Sequence, residues 1–228
     1  MTRYTVDMAD KIQPSKLRAT PEQEDFNHKY TEEGSSKLYG RLIDNYFRNV
    51  ELLLAASKLP ANKKLRAIEL GAGEGFSTER LVGMLPNNIE LEASEYVHDL
   101  VPKLRKKNPG MTVTEESVYE LKHKDNTFDL VFLLEVLEHL DYPDKALAEI
   151  HRVLKPEGVL ILGVPREPLW RALNMARGKY LSRLGNTIGH LNHWSTITLK
   201  RHVVKNFGPV EETKTPLPWT LVRARKQT

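Results

Sequence analysis

From Leu65 to Val164, short apolar runs alternate with helical stretches, and this rhythm restricts the fold more than any other feature of the chain. The runs Leu65–Leu70, Ile89–Ala93, Met111–Thr114, Phe128–Leu134 and Val159–Val164 read as strands. Phe128–Leu134 is so apolar that burial on both faces is expected. Helices are predicted from Gly75 to about Leu85 and from about Asp99 to Lys107. Another begins at Pro143, with Ala146, Leu147, Ile150 and Val153 on one face, and Pro156–Gly158 makes the turn after it. Ahead of the first strand, apolar residues at 39, 42, 43, 46, 47, 50, 53 and 54 predict a helix to about Ser57. Strand–helix alternation with apolar strands implies a parallel sheet covered by helices on both faces.

Residues 1–36 are polar and broken by Pro14, Pro21 and Gly34–Ser35–Ser36, so they are expected to form a partly irregular arm before a domain at 37–228. After Pro165 the rhythm stops. "PREPLWRALNMARGKYLSRLGNTIGHLNHWS" is rich in Arg, His and Trp, and reads as an insertion at about 165–195 over the sheet edge. "PWTLVRARK" at the end reads as a last strand.

The first strand runs into "AIELGAGEGF", with glycines at Gly71, Gly73 and Gly75. A dinucleotide fingerprint is G-x-G-x-x-G, with open amides aimed at a pyrophosphate. Here the third glycine comes one residue early, and Glu69 would repel a pyrophosphate while suiting a cationic group such as an amine. An acid after the second strand is expected to grip a ribose. Glu95 is preferred to Glu92, because it lies 20 residues past Gly75, and Tyr96 beside it is placed on an adenine face. A tight turn without ligand, and a solvated loop acid, are the plain alternatives.

With these blocks the chain resembles the class I S-adenosylmethionine-dependent methyltransferases. The resemblance runs from about Leu65 to Val164 through "IELGAGEG", "SEYVHDLVPKLRKKNPG", "DNTFDLVFLLEVLEHL" and "ALAEIHRVLKPEGVLILGVP". It implies a Rossmann-like, doubly wound seven-stranded sheet, mostly parallel with an antiparallel last strand. It implies S-adenosylmethionine as cofactor, its methionine end over Gly71–Gly75 near Glu69 and its ribose on Glu95. Adenine is expected near the loop after strand three. Where many relatives carry an Asp for the adenine amine this chain has Ser117, so Ser117 or the Val118 amide must serve. Pro156–Glu157–Gly158 replaces the usual Pro-Gly-Gly, in a loop expected to be remote from the cofactor.

Methyl transfer from a sulfonium is an in-line displacement, so the protein mainly aligns the partners. A base is needed only where the acceptor must lose a proton. Ligands in such sheets lie beyond the carboxyl ends of the strands, which singles out "LLEVLEHL" with Glu135, Glu138 and His139. Glu135 is placed with the cofactor set. His139 is the preferred base because imidazole titrates near neutrality, and Glu138 orients it or points away. Both residues could instead simply fix the loop. E-x-x-E-H also makes a plausible divalent-metal set, with a further ligand from His190 or His193, and resembles the metal motif of quinone-biosynthesis and small-RNA 2′-O-methyltransferases. The base is preferred and no metal is assigned.

Arg166, Arg171 and Arg177 lie among Trp170, Tyr180 and Trp194, and could bind an acidic or ring-bearing acceptor unless they are merely the solvated face of a helix. Tyr30 and Arg41 are expected to close over the methionine end. This segment resembles uncharacterised bacterial methyltransferases associated with glycan or natural-product pathways. The net charge of +4 is read as lysine-rich solvated faces rather than a nucleic-acid patch. No run approaches the roughly 18 apolar residues of a membrane span, and the first residues lack the apolar core of a signal peptide. There are no cysteines, which removes disulfides and cysteine–zinc sites and fits the cytoplasm. A small-molecule acceptor is therefore expected, with an RNA methyltransferase and a non-catalytic cofactor-binding scaffold as alternatives. The oligomeric state is left open.

Overall fold

The computed structural model describes Leu17 and residues 37–227. The predicted arm and Tyr30 lie outside these residues, Leu17 aside. Helix α1 (Lys37–Ala56) leads into β1 (Leu65–Leu70), α2 (Phe76–Met84), β2 (Ile89–Glu95), α3 (Val101–Lys107) and β3 (Val113–Glu115). Then come β4 (Phe128–Leu134), α4 (Pro143–Val153), β5 (Leu154–Pro165), α5 (Leu169–Ala176), α6 (Thr196–Asn206), β6 (Val210–Lys214) and β7 (Trp219–Arg225).

The seven strands form one sheet in the order β3-β2-β1-β4-β5-β7-β6. Pairs β1–β2, β1–β4, β2–β3 and β4–β5 are parallel. Strand β7 is antiparallel to both β5 and β6. The order reverses between β1 and β4, and ligands in open α/β sheets bind at such a reversal.

Every residue of β4 is buried, as its apolar run predicted. Its side chains alternate between two cores. Leu130, Phe132 and Leu134 join Ile43, Phe47 and Val50 of α1 on one face. Val131 and Leu133 join Leu147 and Ile150 of α4 and Leu199 and Val203 of α6 on the other. Phe132 is fully buried, so its truncation to alanine would cost roughly 3–5 kcal/mol. This double burial holds the carboxyl ends of β1 and β4 side by side, where the predicted site residues lie.

Candidate active site

Strand β1 ends in a loop that turns back on itself. The Gly71 and Ala72 amides donate to the Ser94 carbonyl at 2.9 and 3.0 Å, and the Gly75 amide donates to Ala72 at 2.9 Å. Gly71, Gly73 and Gly75 all have positive φ. A Cβ on Gly75 would sit 2.7 Å from Asn108 Nδ2 and 2.9 Å from Leu104 Cδ1, so that glycine serves close packing against α3. A Cβ on Gly71 would strike Val136, just beyond β4. Gly73 differs: nothing lies within 4 Å of a Cβ placed there. Its backbone borders open space, as a ligand cradle requires.

Two buried acids flank this loop. Glu69 is 1% exposed and accepts a 2.6 Å hydrogen bond from the Thr78 hydroxyl. Burial pushes its carboxyl up to about 7, against the pull of Ser77 and Thr78 and with a smaller push from Glu95. Glu95 ends β2 and accepts from the amides of Gly73 (2.7 Å), Tyr96 (2.8 Å) and Val97 (2.8 Å). Burial raises its pKa while these amides lower it. The Glu95 carboxylate thus ties the open glycine to the end of β2. Oε1 takes both the Tyr96 and Val97 amides, so Oε2, which accepts only from Gly73, keeps a lone pair for a ribose hydroxyl. Tyr96 is half-buried beside it. The Ser117 hydroxyl accepts from the Tyr119 amide at 3.2 Å and so braces its own turn, while Val118 packs against the core.

Beyond β4 the chain makes one 3-10 turn, Leu137–His139. Glu135 enters it with φ 59°, its amide donating to Gly163 at 2.9 Å. Its Oε2 accepts from Trp219 Nε1 at 3.0 Å, and its Oε1 is buried with no hydrogen-bond partner. Burial pushes this carboxyl up to about 8, opposed by the Trp219 hydrogen bond. Glu138 is 1% exposed, and neither carboxylate oxygen has a hydrogen-bond partner. Burial first, and then Glu135, hold it well above the usual carboxylate range. His139 Nδ1 lies 3.0 Å from the Gly189 carbonyl, which can only accept, so Nδ1 carries the proton. In the neutral ring Nε2 then holds the lone pair, 3.8 Å from Glu138 Oε1.

His190 packs edge-on against His139 with ring centroids 4.8 Å apart, and stacks on Trp170. One ligand atom from each of Glu138, His139 and His190 falls within a 4.8 Å cluster that could hold a metal ion. His193 is turned away to Asn186 Oδ1 at 2.8 Å, and Glu135 to Trp219.

The methyltransferase-domain family matches residues 68–162, which span the glycine loop, the turn after β4 and most of β5. Over those residues the chain matches a methyltransferase domain, consistent with the class I methyltransferases. An uncharacterized protein of Methanocaldococcus jannaschii is 33% identical over 148 residues, 63% of this chain and 60% of that one. The demethylmenaquinone methyltransferase of Streptomyces avermitilis is 32% identical over 79 residues, 35% of this chain and 34% of that one. The chain thus spans less than two thirds of either relative's length. An S-adenosylmethionine-dependent methyltransferase from Aquifex aeolicus shares the fold with a TM-score of 0.61 at 18% identity, covering 94% of this chain and 99% of that one. The cofactor of this family is S-adenosylmethionine. The open side of Gly73 and the carboxyl groups of Glu69 and Glu95 fit its amino and ribose ends.

The 165–195 segment is tied to the turn after β4. The Leu191 and Asn192 amides donate to the Glu138 carbonyl, both at 2.9 Å, and Asn192 Nδ2 donates to Leu140 at 2.7 Å. Arg171 Nε braces the Leu184 carbonyl at 3.0 Å, and Arg177 donates to Asn174 Oδ1 at 2.7 Å, so both arginines have local partners. Trp194 packs against the core and Arg41 is exposed on α1. Sequence reasoning missed Trp219, Thr78, Gly189 and Tyr39. The Tyr39 hydroxyl is pushed up to about 12 by burial and then by Glu135. None of the four has a local signal, because each acts through a contact made only by folding.

Glu69 and Glu135 have folded-state pKa values above the ordinary 4.5. The native state therefore holds protons that the unfolded chain releases. Stability is fully present below the unfolded value and is lost as pH rises through the folded one. Thermal melts of the cofactor-free protein should show stability falling from about pH 4.5 to about 8. Glu69→Gln should flatten the part below about 7. A melting temperature that rises steadily across this window would contradict the buried-acid assignment.

Proposed function

We propose that this chain transfers the methyl group of S-adenosylmethionine to an oxygen, nitrogen or carbon nucleophile of a small molecule. His139 Nε2 takes the acceptor's proton as the methyl carbon leaves sulfur, with the Gly189 carbonyl holding the ring through Nδ1 and Glu138 beside it. S-adenosylhomocysteine and the methylated acceptor are the products. The observation that carries this reading is the Nδ1 contact of His139 to Gly189, which presents the basic nitrogen one turn beyond β4. Val136, which leads into that turn, abuts Gly71, which supports a base close to the glycine loop. The relative named a demethylmenaquinone methyltransferase supports a small organic acceptor. We expect that acceptor among natural-product or glycan-pathway intermediates.

The test is a screen of metabolite extracts with methyl-labelled S-adenosylmethionine. Label should pass to a small product with wild-type protein and not with His139→Ala. Label appearing only in RNA would overturn the choice of acceptor class, and no transfer to any fraction would overturn catalysis.

A further inference from the structure

We propose that the outer lip of the 165–195 segment docks on an anionic bilayer surface. The lip is formed by the end of α5 and the turn around Leu181–Arg183. Buried Asn174 ties the two together: its Nδ2 donates to the Gly185 carbonyl at 2.9 Å, and its own carbonyl accepts from the Lys179 amide at 2.8 Å. From this braced knot three large apolar side chains face outward. Met175, Leu181 and Leu184 are 40%, 59% and 66% exposed. Water is a poor environment for such a group of side chains gathered within ten residues.

The stretch itself carries charge of one sign. Arg171, Arg177, Lys179 and Arg183 lie among the apolar residues, and no Asp or Glu occurs between Glu167 and Glu211. A short stretch with exposed leucines, several basic residues and no acid in its sequence suits the headgroup region of a negatively charged membrane. RNA would also attract the cations, but it would leave Leu181 and Leu184 in water. A bilayer accommodates both features. No described helix is long and apolar enough to cross a membrane, so the contact is peripheral.

The lip also adjoins the proposed reaction site. Trp170 Nε1 donates to Thr187 Oγ1 at 2.9 Å, Asn174 Nδ2 reaches the same hydroxyl at 3.2 Å, and Trp170 stacks on His190 beside His139. Arg177 is close enough to Tyr39 for its charge to be felt at that hydroxyl, which also feels Glu135. If the small-molecule methyl-transfer reading holds, docking here brings an acceptor anchored in the bilayer to the site. In that respect the inference rests on that reading.

Vesicle flotation tests the docking without using the reaction. Wild-type protein should float with phosphatidylcholine vesicles containing phosphatidylglycerol, stay down with phosphatidylcholine alone, and be released by high salt. Leu181→Glu with Leu184→Glu should reduce the floating fraction about tenfold or more, and Arg183→Glu should weaken it too. Both leucines are exposed, so the variants should keep the wild-type melting temperature and cofactor affinity. Three results would overturn the inference. These are no flotation with anionic vesicles, flotation unchanged in the double leucine variant, and tighter binding to polyuridylate than to vesicles. Loss of cofactor binding in the wild type would strike the methyl-transfer reading and leave the flotation result standing.

Discussion

Replacing His139 by alanine should lower turnover roughly 10²–10⁴-fold, the ordinary contribution of a positioned base. The loss should shrink as pH rises, because an acceptor that ionises unaided no longer needs the imidazole. The substitution also removes the contact to Gly189, which costs about 1 kcal/mol of stability. Rate and melting temperature must therefore be read together. A base gives a large fall in rate with a small fall in stability. A loop tie gives the reverse. A divalent ion on Glu138, His139 and His190 would give a third pattern, in which chelator reproduces the variant and added Mg²⁺ restores the wild type. Turnover indifferent to both mutation and chelator would leave alignment of the reactants as the whole mechanism.

Gly73→Arg should abolish S-adenosylmethionine binding. The new side chain enters the open space that only Gly73, of the three loop glycines, borders. The fold should survive. No packed neighbour obstructs a Cβ there, and holding a non-glycine residue at φ +57° costs roughly 1–2 kcal/mol. The variant should melt somewhat below wild type and lose the rise in melting temperature that saturating cofactor gives. A normal cofactor-induced rise would place the binding site elsewhere.

The sheet was legible in the sequence wherever burial was two-sided. Phe128–Leu134 matches β4 because every position is buried and the apolar run has no interruption. Edge strand β6, Val210–Lys214, is polar and only half-buried, so its VEETK string carries no strand pattern. Helix α6 had a readable start, since Ser195 and Thr198 form a capping box, yet its TITLKRHVVKN string is hidden behind a loop-rich segment. The glycine loop and Glu95 were legible because chain order puts them at adjacent strand ends. The surroundings of Glu135 were not. Trp219, 84 residues away, reaches it because β7 folds back antiparallel beside β5 and pairs Trp219 with Pro165. Likewise the choice of His190 over His193 as the neighbour of His139 depends on the local turn that sends His193 to Asn186.

The most direct measurement is a crystal structure with S-adenosylhomocysteine bound. The predicted result is a ligand with its amino-acid end along Glu69–Gly75, its ribose on Glu95, and its sulfur facing the turn that carries His139. A ligand seated elsewhere, or a cradle that stays empty at saturating concentration, would contradict the assignment of this loop as the methyl donor's site.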